Sequence, residues 1–290
     1  MKRKKLLWFW VWILFCLLLC LGAEIWHSNF RLTVRQYQVE NPKITAPLRI
    51  VHLSDLHCQK FGEDNRDLIS LVQDQQPDLI LLTGDMVTGR EKDTATALEL
   101  IAQLRYIAPV YASLGNHERT YDSLHRADIA ELYRQAGAVV LEYAYQDVEI
   151  SGQALRIGGA SGYCLPDIYL ATGEAKTEEC EFLKDFQSTD HCTLLMSHLP
   201  VSWIQNDAIS YWDTDLVFSG HVHGGQIKLP LLGPVYAPDM GWFPGRLEGV
   251  FFSGNESKAL ILSTGLGSSL PIPRLNNPPQ VVVVDILPKA

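Results

Sequence analysis

The feature that most constrains the fold is a series of short aliphatic runs that each end directly in polar residues. Leu48–Leu53 leads into Ser54, and Leu216–Ser219 leads into Gly220. Runs this short, bounded by turn-forming residues, are typical of buried strands, whereas the longer amphipathic stretches between them are typical of helices. The alternation of the two patterns predicts an α/β domain.

The same pattern places the individual elements along the chain. Strands are predicted at Leu48–Leu53, Leu79–Thr83, Val110–Leu114, Leu155–Gly159, Thr193–Ser197, Leu216–Ser219, Ala259–Ser263 and Val281–Ile286. Helices are predicted near residues 64–76, 93–106, 120–136 and 178–187, the third of them capped by Thr120 or Asp122. The length of 290 residues suits one sizeable domain with a short additional segment.

Residues 1–27 are predicted to be a membrane anchor. A basic head at residues 2–5 precedes an uncharged apolar span at residues 6–23. At ~1.5 Å per residue, a helix of that length comes close to crossing a hydrocarbon core of ~30 Å. Basic residues favour the cytoplasmic side, so the chain after Glu24 is expected on the outer face of the membrane. Residues 28–46 are predicted to be a linker and residues 47–290 the globular domain.

Other interpretations of the apolar segment are less favourable. A cleavable signal peptide would use Leu21-Gly22-Ala23 as its cleavage site, and we favour the uncleaved anchor over it. Lipid attachment at Cys20 is disfavoured because Leu19 before it is not small. A buried core helix is disfavoured by the four basic residues at the N-terminus.

Charge and cysteine content exclude some classes of function. The formal net charge of −9 leaves no reservoir of positive charge for a polyanion, which disfavours nucleic acid as the main partner. Cys16 and Cys20 lie in the apolar span, and the other four cysteines are widely spaced without a CxxC pair. One disulfide or none is therefore expected.

Side chains with metal-binding atoms follow the predicted strands. Asp55 and His57 come after the first strand, Asp85 after the second, and Asn116 and His117 after the third. In open α/β sheets the carboxyl ends of the strands border one crevice, so these side chains are expected to converge. A single Asp or His at such a position usually forms a turn or lies at the surface, which is why the set matters more than any member.

Three further histidines follow later strands in the same manner. His198 closes one strand, and His221 and His223 follow the next, where alternation puts both rings on one side. Together with Asp55, His57, Asp85 and Asn116 they provide seven oxygen and nitrogen donors. This donor set suits two adjacent divalent ions such as Mn, Fe or Zn.

The order of the motifs DLH, GD, GNHE, SH and GHVH resembles the calcineurin-like metallophosphoesterase superfamily over residues 48–286. The resemblance implies a layered sandwich of two mixed β-sheets flanked by helices, here preceded by one transmembrane helix. The segments GHVHGGQ and GLGSSLPIPRLNNPP are similar to a membrane-associated bacterial branch that includes metal-dependent UDP-diacylglucosamine pyrophosphatases and related envelope phosphoesterases.

The resemblance also implies a role for each donor. One metal would be held by Asp55, His57, Asp85 and His223, and the second by Asp85, Asn116, His198 and His221. Asp85 would bridge the two ions, and His117 would face the substrate and protonate the leaving group. Two cations ~3.5 to 4 Å apart lower the pKa of a bridging water and neutralise the phosphate. Mn is the expected metal.

Residues for substrate binding are predicted in two later segments. Trp242 and Arg246 lie in the loop after the double-histidine turn, and Arg246 or Arg274 is a candidate clamp for a phosphate. No function is predicted for His27, His52, His125, His191 or Cys58.

The leading hypothesis is hydrolysis of a phosphodiester or pyrophosphate in an amphiphilic or envelope-derived substrate at a bacterial cell membrane. The alternative enzymatic hypothesis is a broad phosphatase or nucleotide phosphodiesterase. A third hypothesis is an inert membrane-anchored binding protein. A UDP-linked lipid would require a cytoplasmic site, which conflicts with the predicted orientation. The oligomeric state and cleavage of the anchor are left open.

Overall fold

The aliphatic runs form two six-stranded mixed sheets. The computed structural model describes residues 2–165, 171–172 and 177–289. The first sheet has the order β1-β16-β2-β3-β4-β5, in which β2 to β5 are parallel and β16 is antiparallel to β2. Its strands are β1 Thr33–Asn41, β2 Leu48–Leu53, β3 Leu79–Thr83, β4 Val110–Ser113, β5 Val139–Val140 and β16 Gln280–Pro288.

The second sheet has the order β14-β15-β9-β8-β7-β6, and its four central strands are parallel. Its strands are β6 Ala144–Ile150, β7 Gln153–Ala160, β8 Cys192–Ser197, β9 Leu216–Ser219, β14 Gly249–Phe252 and β15 Ala259–Leu262. Two short antiparallel ribbons follow β9. They are formed by β10 Lys228–Leu229 with β11 Gly233–Pro234, and by β12 Tyr236–Ala237 with β13 Gly241–Trp242.

Helices cover the outer faces of both sheets. On the first sheet they are α2 Arg66–Asp74, α3 Ala95–Leu104, α4 Asn116–His125 and α5 Ile129–Ala136, with a 3-10 turn at Glu63–Asn65. On the second they are Glu178–Phe186, Val201–Gln205 and Ala208–Tyr211. One apolar cluster lies between the sheets and one lies under each helical layer, so the core has the order helix, sheet, sheet, helix. The expected sandwich of two mixed sheets is confirmed.

The single helix predicted at 120–136 is wrong, because the chain forms α4 and α5 there. Arg126 adopts a left-handed conformation after α4, and the side chain of Asp128 accepts a hydrogen bond from the Glu131 amide to begin α5. Asp122 accepts from the Ile129 amide at 2.8 Å instead of capping a helix of its own. Thr120 lies inside α4, where its hydroxyl donates to the Asn116 carbonyl.

The structure also differs from the sequence expectation for residues 28–46. Strand β1 lies in this segment and pairs in parallel with β16 along its whole length. Val39 and Asn41 are buried, whereas Gln36, Gln38 and Glu40 on the other side are exposed. The strand is at the edge of the sheet and half polar, which explains why its pattern resembles that of a linker.

The apolar N-terminal segment forms a single helix, α1 Lys2–Phe30. Its stretch Lys4–Phe30 is long and apolar enough to cross a membrane, and the most apolar part of this stretch is not buried against the rest of the chain. The helix runs past the predicted end of the anchor, and its last two turns contact the globular domain.

Candidate metal centre

The loops after β2, β3, β4, β8 and β9 converge at one edge of the two sheets. They carry the residues selected from the sequence, and each loop follows directly on the end of a strand. The crevice contains three groups of possible metal ligands, and within each group the ligand atoms lie within 4.8 Å of one another. The groups are Asp55, His57 and His223; His57, Asp85 and His117; and Asp85, His198 and His221.

The backbone at these positions is held in an uncommon conformation. Positive φ angles occur at Asp55 (54°), His57 (48°), Asp85 (54°), His221 (70°) and His223 (47°). A non-glycine residue in the left-handed region costs about 1 to 3 kcal/mol, and such residues cluster at functional sites. The strained loops turn all five side chains into the same crevice.

Glycines let these loops approach each other closely. A Cβ atom added to Gly220 would lie 2.2 Å from an Asp55 carboxylate oxygen, and one added to Gly115 would lie 2.2 Å from Asp85 Oδ1. Both distances are far below any tolerated contact. The absence of a side chain at Gly115 and Gly220 is therefore what allows the two carboxylates to sit between the loops.

Asp85 occupies the middle of the cluster. Its Oδ2 lies 3.2 Å from His198 Nε2, 3.9 Å from His57 Nε2 and 4.0 Å from His117 Nε2. Its other oxygen, Oδ1, accepts the His117 backbone amide at 2.8 Å. One carboxylate oxygen is thus shared by two groups of ligands, which is the arrangement required of a bridging residue.

Hydrogen bonds fix which nitrogen of His198 faces the crevice. His198 Nδ1 lies 2.7 Å from the Thr83 carbonyl and donates to it, which directs Nε2 towards Asp85. A backbone carbonyl that binds the distal nitrogen is a common means of orienting a metal-binding imidazole. On the other side, His223 Nε2 lies 3.8 Å from Asp55 Oδ1.

Burial and charge set the protonation of the cluster. Burial lowers the pKa of His57 to about 4 and that of His221 to about 4, so both rings are neutral near pH 7. Burial also acts on His198, but the adjacent Asp85 carboxylate outweighs it and raises the pKa of His198 to about 10. The same contact lowers the pKa of Asp85 against the effect of its burial. A cation that replaced the His198 proton would satisfy both groups.

The donors fit divalent cations. Within the ranges that the structure describes, no hydrogen-bond partner is found for either ring nitrogen of His57, for Nε2 of His198 or for Oδ1 of Asn116, although all are buried. Buried polar atoms without partners are costly, and neutral imidazoles with carboxylates are the ligands of Mn, Fe and Zn. Two such ions sharing Asp85 would give a partner to one ring nitrogen of His57, to Nε2 of His198 and to Oδ1 of Asn116.

His117 lies beside the cluster and differs from the ligands. Its Nδ1 accepts a hydrogen bond from the Gly89 amide at 3.0 Å, so the neutral ring carries its proton on Nε2, the nitrogen that faces Asp85. Its side chain retains 24% exposure, whereas those of His57 and His198 have none. His117 is therefore the histidine of the cluster that combines a defined proton position with access from solvent.

A cavity of about 330 Å³ opens next to His117. It is lined by Thr88, Gly89, Arg90, His117, Thr120 and Ser269. Hydroxyl groups and one guanidinium group thus line a space beside the imidazole.

Glu118 was not assigned a role from the sequence, yet it joins two of the loops. Its carboxylate is buried and accepts the amides of Asp85 (2.7 Å), Met86 (2.7 Å) and Gly115 (2.9 Å). The Tyr133 hydroxyl donates to it at 2.8 Å. The sequence signal for this role is the glutamate that ends the GNHE motif. A carboxylate at the third position of a helix often accepts backbone amides at the helix start.

Asp239 is a second residue that the sequence did not indicate. Its Oδ2 lies 3.3 Å from His221 Nε2 and accepts the Tyr163 hydroxyl at 3.1 Å. The carboxylate places a negative charge beside the imidazole, which acts to raise the pKa of His221 against the larger effect of burial. No local pattern around Asp239 distinguishes it from a turn residue.

The predicted substrate residues have different surroundings. Arg274 is only 1% exposed, and its guanidinium donates to the carbonyls of Thr264 and Gly267. These contacts do not favour the predicted role of Arg274 as a phosphate clamp, because its donors are used inside the protein. Arg246 is exposed with its guanidinium 4.9 Å from the Phe251 ring, and Trp242 is exposed on β13. Their roles in substrate binding stay predictions.

The residues for which no function was predicted have ordinary surroundings. His52 Nε2 lies 2.7 Å from the Thr83 hydroxyl in the core. Burial raises the pKa of the Cys58 thiol, which does not favour a reactive thiolate. All six cysteines are free, and all of them lie in the described part of the chain.

Comparison with known proteins gives a consistent result. The model of calcineurin-like phosphoesterases matches residues 48–225. An uncharacterized metallophosphoesterase of Aquifex aeolicus is 30% identical over 280 residues, which cover 92% of this chain and 96% of that protein. Phosphodiesterase YaeI of Escherichia coli is 28% identical over 251 residues, which cover 83% of each chain.

Solved structures are more distant. A dimetal phosphatase from Danio rerio superimposes with a TM-score of 0.46 and 12% identity, over 75% of this chain and 87% of the other. A 5'-nucleotidase precursor from Thermus thermophilus superimposes with a TM-score of 0.48 and 14% identity, over 76% of this chain and 49% of the other.

Proposed function

Since the chain belongs to the calcineurin-like phosphoesterase family, we propose that it is a membrane-anchored phosphodiesterase that uses two divalent cations, Mn by preference. Its substrate is an amphiphilic phosphodiester or pyrophosphate of the cell envelope. The observation that carries the proposal is Asp85 Oδ2, which lies between His57, His117 and His198. The similarity to a protein named as a phosphodiesterase supports the diester.

Each of the two cations has its own set of ligands. Asp55, His57 and His223 would hold one cation, and His198, His221 and Asn116 would hold the other, with Asp85 shared. When bound, the two cations supply a nucleophile from water at neutral pH and neutralise the charge on the phosphate. Residues of the chain need not form a covalent intermediate.

His117 acts on the leaving group. Because Gly89 donates to Nδ1, the ring presents its Nε2 proton towards the crevice. An imidazole in this state donates a hydrogen bond to the departing oxygen and can transfer the proton to it. The cavity beside it, with Arg90 and Ser269 in its wall, accommodates the leaving group.

Helix α1 supports a membrane location for this chemistry. Its apolar stretch is long enough to cross a bilayer, and the basic residues at its start favour an outer-face orientation of the domain. A tethered site meets substrates confined to the same surface at high effective concentration. This supports a lipid-linked substrate over a freely diffusing nucleotide.

The test of the proposal is metal-dependent hydrolysis by the full chain in detergent. After metal is stripped, we expect turnover of an aryl phosphodiester to fall by at least about 100-fold and to return with Mn. The matching aryl monoester should be hydrolysed about tenfold more slowly, since the proposed site is built for a diester. Equal or faster monoester hydrolysis would favour a broad phosphatase, and no turnover with any divalent metal would overturn the enzymatic proposal.

His117→Gln should retain both metals and lose turnover by about 100-fold or more, because the amide cannot transfer a proton. Metal content by elemental analysis and the rate on the aryl diester measure the two effects separately. His125→Gln, on the same helix α4, is the matched control and should leave both unchanged. Full turnover in His117→Gln would remove His117 from the mechanism.

A further inference from the structure

The end of helix α1 is hydrogen-bonded to a loop of the globular domain. Glu24 Oε1 accepts the Asn276 amide at 3.1 Å, and Ser28 Oγ accepts the Asn277 amide at 3.1 Å. Asn29 exchanges two bonds with the backbone of Arg274, at 3.0 and 3.1 Å. The last two turns of the apolar helix are thus attached to the loop of residues 268–277.

The same loop supports the candidate metal centre. Asn277 Nδ2 donates to the His223 carbonyl at 2.6 Å, and Arg274 Nη2 lies 3.4 Å from His223 Nδ1. Only one residue of the loop therefore separates the membrane helix from a candidate metal ligand. The helix end is thus connected to the crevice through this loop.

The β10–β11 ribbon belongs to the same unit. The Lys228 amide donates to the Leu275 carbonyl at 3.0 Å, and Asn276 Nδ2 donates to the Lys228 carbonyl at 3.3 Å. Gln226 Nε2 donates to the Ile272 carbonyl at 2.5 Å. The helix end, the loop and the ribbon are consequently one hydrogen-bonded body.

This body carries large apolar side chains that are exposed. Leu231 at the tip of the ribbon is fully exposed, and Leu232 beside it is 66% exposed. In the loop, Leu270 is 48% and Ile272 is 52% exposed. Large exposed apolar areas on one structural unit often mark a contact with a partner or a membrane.

We propose that Trp26, Phe30, Leu231, Leu232, Leu270 and Ile272 form a membrane-contact surface that seats the domain on the bilayer beside α1. The inference rests on the proposed function, because it takes α1 as a membrane anchor. The occupant is the bilayer surface, since the helix that continues from Trp26 and Phe30 is itself apolar and uncovered. The crevice then opens at the level of the lipid headgroups, and a lipid-linked phosphodiester reaches it without leaving the membrane.

A groove next to the helix end fits the same assignment. It has a volume of about 470 Å³ and is lined by Trp26, Phe30, Arg31, Lys60 and Phe61 among others. Aromatic side chains and cations occur together at membrane interfaces, where the rings lie among the headgroups and the cations meet phosphates.

Cross-linking to lipid tests the surface without reference to activity. The full chain is reconstituted into nanodiscs of phosphatidylcholine and phosphatidylglycerol that contain a lipid with a diazirine near the glycerol end of its acyl chain. We expect cross-linked peptides covering residues 229–232 and 269–273 as well as α1. Cross-links confined to α1 would overturn the surface and leave the anchor, whereas cross-links in none of these segments would overturn both.

A double substitution tests the consequence for the substrate. Leu231→Ser with Leu232→Ser should lower hydrolysis of a phosphodiester lipid in the same nanodiscs by about tenfold, because seating depends on the apolar area inserted. Hydrolysis of the soluble aryl diester should not change. Leu124→Ser removes an exposed leucine elsewhere and is the matched control. An unchanged rate on the lipid in the double variant would contradict the proposal, and a soluble diester that wild type does not hydrolyse would count against the proposed function instead.

Discussion

Asp85→Asn is expected to lower metal-dependent turnover by about 10³-fold or more and to weaken binding of both cations. The asparagine oxygen can still accept the His117 amide, so the loop is retained, but the charge that Oδ2 contributes to three imidazoles is lost. The lost charge is expected to remove several kcal/mol of transition-state stabilisation by the two metals. Each 1.36 kcal/mol added to the activation free energy lowers the rate about tenfold, which gives the expected loss. The change alters charge at the one atom shared by both ligand groups.

Titration calorimetry with Mn and the rate on the aryl diester measure the two effects. Asp213→Asn, which removes an exposed carboxylate paired with Lys258, should bind Mn as wild type does. An Asp85→Asn protein that binds two Mn ions with wild-type affinity would show that Asp85 does not bridge. A melting curve close to that of wild type separates loss of metal from loss of fold.

The residues that converge in the crevice could be predicted because their signal is local. Asp55, Asp85 and His198 each follow an apolar strand directly, and the geometry of parallel strands then brings them together. The apolar runs also predicted the strands, since all eight predicted strands overlap strands of the two sheets, whereas the sandwich arrangement was implied by the family resemblance. Local apolar pattern was sufficient where both faces of a strand are buried.

The rest depended on contacts between distant segments. Strand β1 is stabilised by its pairing with β16, which lies at the other end of the chain, and its own side chains are mostly polar. Arg274 was selected as a phosphate clamp because of its charge, whereas its burial depends on the carbonyls of Thr264 and Gly267 around it. Asp239 approaches His221 through a single contact that no sequence pattern records.

The attachment of α1 changes how the domain should be divided. Glu24 and Ser28 lie in the segment read from sequence as anchor and linker, yet they hold the loop that supports His223. A fragment that begins at residue 28 would lack the Glu24 contact with Asn276. This is the physical reason for carrying out the assays on the full chain.

Glu118→Gln is expected to lower the free energy of unfolding by about 3 kcal/mol or more, the largest effect on stability predicted for the metal-free protein. Glu118 Oε2 accepts the amides of Asp85 and Gly115, and a glutamine would place an amide nitrogen or an uncharged oxygen there. A hydrogen bond to a charged group contributes about 1.5 to 3 kcal/mol, and a buried donor left without a partner adds a penalty.

Thermal unfolding of the metal-stripped protein measures this effect, with an expected fall in Tm of about 6 °C or more. Tyr133→Phe removes only the hydroxyl that donates to Glu118 Oε1, and it should lower stability by about 1 kcal/mol. The ratio of the two effects tests the role of the carboxylate, because it joins the loop of Asp85 to the loop of Asn116 while the hydroxyl only supports it. If Glu118→Gln melted within about 1 °C of wild type, the two loops would have to be held by other contacts, and Glu118 would not be the residue that positions the bridging aspartate.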